Sequence, residues 1–164
     1  MNIIEFYLRQ IQPNRISEIN LRKIKNRLKD IRHLELIDKL NLPKDKVLIM
    51  GSAVLVLHGI VDKNADLDLV VTRDVLNKMS KLKNIVKKFK CNKVFCKTKD
   101  DSMEAAVNLQ ILGVTTETLL RRALDIDGYK FMSLKDTYKM YRILNRKKDI
   151  EKLKKLKRIF SRGK

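Results

Sequence analysis

The sequence predicts an α+β fold: a small mixed β-sheet with helices packed on it and a helical arm at each end. Three observations carry this expectation. Residues 47 to 71 read as strand, Gly-Ser turn, short helix, turn and strand. Apolar runs there stop at Gly51-Ser52 and at Gly59, before Asp66-Leu67-Asp68-Leu69-Val70-Val71 alternates and then turns wholly apolar. Apolar residues recur at helical spacing from Ile19 to Leu40 and from Ile150 to Ile159. Short alternating or apolar runs around 90–97, 103–112 and 129–132 supply further strands. At 164 residues one domain is expected, with an arm over 1–43, a sheet core over 47–132 and C-terminal helices over 133–164.

In the arm, Ile3, Ile4, Tyr7, Leu8 and Ile11 make a first helix that Pro13-Asn14 breaks. A second helix is expected from Ser17, with Ile19, Ile24, Leu28, Ile31, Leu34, Leu36, Ile37 and Leu40 on its apolar stripe and Arg22, Lys23, Lys25, Arg27, Lys29 and Arg32 on the other side. Pro43 separates the arm from the first strand. After Val71, Asp74 to Lys83 reads as a helix with Val75, Leu76, Met79 and Leu82 inward. Phe89, Cys91, Lys93 and Phe95 alternate in a third strand, Asp100-Asp101-Ser102 turns, and Met103 to Leu112 makes a fourth. Thr115 to Leu124 is a helix capped by Thr115 or Thr116. Asp127-Gly128 turns into the last strand, Tyr129 to Met132. Ser133 opens the next helix, with Asp136 at the capping-box position, and Lys147 onward forms the last.

The charge is strongly unbalanced: 38 Lys and Arg against 19 Asp and Glu, a net +19. Such a surplus suits a polyanion partner, RNA or DNA, although a lysine-rich composition is also what a merely solvated surface gives. From Val75 to Lys99 there are nine lysines and no acid. No apolar stretch has the roughly 20 residues of a membrane span, and the N-terminus lacks signal-peptide anatomy, so a cytoplasmic protein without membrane partners is expected. Cys91 and Cys96 have no further cysteine to complete a zinc site and read as reduced thiols. His58, beside Gly59, reads as a helix-end residue.

The chemistry is concentrated in residues 51–68. Alternate strand residues share a face, so Asp66 and Asp68 point the same way, about 7 Å apart. Two such carboxylates suit one or two hard divalent cations, which prefer oxygen ligands. Gly51 lets backbone approach a ligand, Ser52 can cap the helix that follows, and the N–H groups at a helix start favour a phosphate. The plainer alternative is a turn beside a decorated strand end. Neither Gly-Ser nor Asp-x-Asp is specific by itself; together, thirteen residues apart on a strand–helix–strand unit, they are moderately specific for the ligand-binding reading.

Gly51-Ser52 followed by Asp66-Leu67-Asp68 resembles the signature of the DNA polymerase β-like nucleotidyltransferase superfamily. The resemblance implies that Asp66 and Asp68 bind magnesium and that Gly51 and Ser52 hold the triphosphate of an NTP such as ATP. It continues through Val107-Asn108-Leu109-Gln110-Ile111-Leu112, which matches the strand of the third carboxylate, and through Ser133-Leu134-Lys135-Asp136 and Arg146-Lys147-Lys148-Asp149, similar to the tail of small bacterial members. Residues 47 to 156 are covered. Asn108 stands at the third acid position, where an amide binds a cation more weakly. Glu104 replaces it only if the strand is bulged or its register differs. Tyr141 stands at the position of a nucleotide-contacting lysine, with Lys139 nearby on another face.

The resemblance implies a metal-dependent nucleotidyltransferase moving NMP from an NTP to an acceptor hydroxyl on an RNA end, a protein side chain or a small molecule. Asp66, Asp68 and Asn108 would be its catalytic residues, and Gly51, Ser52 and Tyr141 would hold the nucleotide. The alternative is a weakened module of the same fold that binds nucleic acid or a partner protein, as in a toxin–antitoxin pair.

Overall fold

A computed structural model of the chain describes residues 18–90 and 93–161. The helix expected over 3–11, its break at Pro13-Asn14, the Ser17 start, Cys91 and the tail beyond Ser161 lie outside the described residues.

The centre of the fold is β1 (Val47–Met50), whose first three residues are buried. It runs antiparallel to β2 (Leu67–Val71), Ile49 opposite Leu69 and Met50 opposite Asp68, and parallel to β7 (Tyr129–Phe131) on its other side. β2 pairs in parallel with β5 (Met103–Ala106), which sets Asp68 beside Glu104. β4 (Lys93–Thr98) and β3 (Ile85–Lys90) extend that side antiparallel, and β6 (Leu124–Ile126) closes the other edge. Among the described residues the mixed sheet therefore has seven strands, in the order β3-β4-β5-β2-β1-β7-β6. Seven α-helices accompany it among the described residues: α1 (Glu18–Asn26), α2 (Glu35–Lys39), α3 (Ser52–Leu57), α4 (Arg73–Met79), α5 (Thr116–Arg121), α6 (Leu134–Leu144) and α7 (Ile150–Ser161). The α+β class expected from the sequence is what the chain adopts.

Register divides the sheet into two faces. Ile49, Leu69, Ala105 and Cys96 form one buried row, and the Cys96 thiol donates toward the Leu76 carbonyl of α4 at 3.7 Å. Burial of each such Ile or Leu is worth about 1.5–3 kcal/mol. On the opposite face Met50, Asp68, Glu104, Lys97 and Val86 run in a row across five strands, and none of them is fully buried. This open face carries the site.

Several elements differ from the sequence reading. The expected long helix to Leu40 is interrupted: α1 ends at Asn26, a 3-10 turn spans Leu28–Asp30, Ile31 is extended, and His33 takes a positive φ of 67° before α2 begins. The third strand is a hairpin of two, since Ile85-Val86 leads a strand of its own ahead of Lys93–Thr98. Leu124 starts β6 instead of ending a helix. The fourth strand stops at Ala106, because Asn108 has φ 57°, a left-handed geometry that Asn tolerates and a strand does not. The expected caps form at two helices: Thr115 Oγ1 accepts from Thr118 N, and Ser133 Oγ accepts from Asp136 N at 3.0 Å.

Candidate functional site

Gly51 lies between β1 and α3 with φ 69° and ψ −142°, a region essentially reserved for glycine. The reason lies directly across the turn: a Cβ on Gly51 would sit 2.8 Å from Asp68 Oδ2. The bare backbone thus gives the Asp68 carboxylate its space. Ser52 is the first residue of α3, Gly51 is its N-cap, and Ser52 makes no side-chain cap bond, so the capping role expected for Ser52 is corrected.

Asp66 sits just before β2, not within it, and Asp68 is the second residue of the strand. The position of Asp66 is held by Asn64, only 1% exposed, whose Nδ2 donates to Asp66 O at 2.8 Å and to Arg32 O at 3.0 Å. Asn64 Oδ1 in turn accepts from Arg32 N at 2.9 Å. One buried amide therefore ties the arm to the loop that carries the first acid.

Glu104, directly beside Asp68 on the parallel strand β5, is the third carboxylate at this face. The three acids repel one another. Burial and then the charges of Asp66 and Glu104 push Asp68 up to about 6, with Arg146 and Lys148 opposing. Glu104, exposed overall, is also raised, first by partial desolvation and then by Asp66. Among the described residues none of the three carboxylates accepts a hydrogen bond or makes an ion pair, in a chain with twice as many cations as acids.

Asn108 is not at this face, which corrects its expected place as the third ligand. Its Oδ1 accepts from Thr116 N at 2.9 Å and from the Thr116 hydroxyl at 3.1 Å, while its own N–H donates to Thr116 Oγ1 at 3.0 Å. This clamp fixes the start of α5 and uses the side chain fully as an acceptor.

Tyr141 on α6 is 2% exposed. Burial first, then the charges of Asp149, Asp68 and Asp66, hold its phenol well above the ordinary range. It stands within electrostatic reach of the acids but offers no open ring. Asp149, 1% exposed, is bound by Arg146 Nε and, at 3.3 Å, by Lys152 Nζ. Burial tends to raise Asp149, but those two cations outweigh it and the carboxyl lies below its ordinary value. The Arg146-to-Asp149 segment thereby anchors positive charge beside Asp68. His58 is buried at the end of α3, and burial pushes its imidazole down to about 3.

The donor set is all-oxygen and anionic, which suits a hard divalent cation. Among the described residues no group of three or more His, Cys, Asp or Glu is arranged to hold a metal ion. Mg²⁺ needs none, being held commonly by one or two carboxylates together with substrate phosphates. Among the described residues no helix is long and apolar enough to cross a membrane. The chain matches no family model, no curated protein and no solved structure.

Proposed function

We propose that this protein is a metal-dependent nucleotidyltransferase of the polymerase β-like kind, transferring NMP from an NTP to an acceptor hydroxyl. One observation carries the reading: Asp66, Asp68 and Glu104 gather at one open face of the sheet with no hydrogen bond or ion pair to their carboxylates among the described residues, and the glycine turn at Gly51 is shaped around Asp68. Uncompensated carboxylates lower stability, and such strain is retained where a ligand relieves it.

Asp66 and Asp68 would hold Mg²⁺ or Mn²⁺, with Glu104 in the role first expected of Asn108. A bound cation of this type neutralises phosphate charge and lowers the pKa of an attacking hydroxyl. Gly51 and Ser52 supply backbone N–H groups and a hydroxyl for the β- and γ-phosphates. Arg146 and Lys148, already felt at Asp68, would attract the triphosphate.

The test is transfer of α-labelled ATP, CTP, GTP or UTP, with Mg²⁺ or Mn²⁺, into a cell lysate fractionated into RNA, protein and small molecules. Label that disappears with Asp68→Asn and with Glu104→Gln supports the reading. Folded wild-type protein that transfers nothing, with any nucleotide and either metal, refutes it.

A further inference from the structure

The hairpin β3–β4 continues the acid-bearing face outward, and its lysines are not evenly distributed. It holds five lysines. Register puts Lys88, Lys90, Lys93 and Lys97 on the face of Asp68 and Glu104, and only Lys87 on the other. Phe95 lies among the four, half-buried, between Lys88 on β3 and Ala106 on β5. Lys97 is ion-paired with Asp101; Lys88, Lys90 and Lys93 make no ion pair among the described residues and are exposed.

Lysines on an edge strand commonly guard against edge-to-edge pairing. That role does not require one face over the other. It also fits poorly with Phe89, which is 71% exposed on the same edge strand. Three lysines without an ion pair on the acid-bearing face against one on the other, among the described residues, favour an anionic occupant of that face.

We propose that the β3–β4 ribbon is a platform for single-stranded RNA, which lays its phosphates along Lys93, Lys90 and Lys88, stacks a base on Phe95 and brings its 3′ end to Asp68 and Glu104. This rests on the nucleotidyltransferase reading and names its acceptor. From Asp68 to Phe95 is two strand spacings across and two residues along, about 12 Å. At the ~3.4 Å rise of stacked nucleotides the gap takes three or four of them. An open sheet face with one aromatic residue suits unpaired bases, whereas duplex recognition needs an element that enters a groove. A ribose end offers a vicinal diol as acceptor, and the 2′-hydroxyl separates RNA from DNA.

The experiment compares adjacent residues on opposite faces. Binding of a short 5′-fluorescein oligouridine to the full-length protein is followed by anisotropy across a salt series, for wild type, Lys88→Glu, Lys93→Glu and Lys87→Glu. The three variants have equal net charge. Lys88→Glu and Lys93→Glu are expected to weaken binding roughly tenfold, each lowering the salt slope by about 0.7, and Lys87→Glu by no more than about twofold. Equal losses at Lys87 and Lys88 would reduce the effect to diffuse charge and overturn the platform. Oligodeoxythymidine bound as tightly as RNA would overturn the RNA assignment. Because all three sites are exposed, unchanged melting temperatures check the fold. Asp68→Asn separates the two claims, since it should keep RNA affinity while losing transfer. Face-specific RNA binding without any nucleotide transfer would sink the enzyme reading and leave the platform standing. Transfer to a small molecule, with no difference between Lys87→Glu and Lys88→Glu, would do the reverse.

Discussion

Replacing Asp68 by Asn should make the metal-free protein more stable, and the gain should depend on pH in a defined way. The Asp68 carboxyl is held at about 6 in the fold against an ordinary 3.8. A raised carboxyl binds its proton more tightly folded than unfolded, so wild-type stability falls as pH rises from about 4 to about 6 and is flat above. At about 1.4 kcal/mol per pH unit the interval corresponds to about 3 kcal/mol. Asn has the same shape, carries no charge and forfeits no hydrogen bond, because the carboxylate makes none among the described residues. In EDTA, urea unfolding from pH 4 to pH 8 should show the variant near wild type at the acid end and about 2–3 kcal/mol more stable above pH 6. Part of the difference should vanish when Mg²⁺ is added, since a ligand at a hundred times its Kd stabilises by about 2.7 kcal/mol and only the wild type has the full site. A variant no more stable than wild type at pH 7 in EDTA would mean that Asp68 is well solvated, and the argument from uncompensated charge would fall.

Other substitutions test the supporting geometry. Gly51→Ala forces a Cβ against Asp68 Oδ2 in a glycine-only backbone region, and should cost about 1–3 kcal/mol in chemical denaturation while abolishing nucleotide transfer. Asn64→Ala strands Arg32 N–H and two carbonyls, so a loss of about 2–3 kcal/mol is expected, read as a lowered urea midpoint; a loss below about 0.5 kcal/mol would show the clasp to be replaceable by water. Asn108→Asp should leave Mg²⁺ affinity unchanged by calorimetry, whereas Glu104→Gln should weaken it; the opposite pattern would restore Asn108 to the metal face.

Much of the site was legible because its parts are local. The turn at Gly51 and the acids at 66 and 68 sit within one strand–helix–strand unit, where alternation and a glycine specify geometry without help from elsewhere. Glu104 was harder. Its partnership with Asp68 is a parallel pairing across 36 positions, and register between distant strands is set by which face is buried, not by local pattern. The error at Asn108 has a simpler origin. Val107 to Leu112 is apolar enough to continue a strand, and only the left-handed backbone at Asn108, secured by Thr116 eight residues on, ends it. Asn64 has the composition of an ordinary polar turn residue, and nothing nearby in sequence reveals that its partner is Arg32. Ile85-Val86 went unread as strand because the lysines after it mask a one-sided amphipathic edge.

The position of β1 at the centre of the sheet has a consequence for the order in which the protein is made. Ile49 finds Leu69 within twenty residues, but its other neighbour, Phe131, is synthesised 82 residues after it. Strands β2 to β5 can close on one another as soon as residue 106 has emerged. Until β7 arrives, the most apolar strand of the protein keeps one edge bare, and pairings this remote form slowly. A nascent chain stalled before residue 129 would therefore hold assembled acids on a sheet whose core is still open, and it should depend on chaperones far more than the finished protein does.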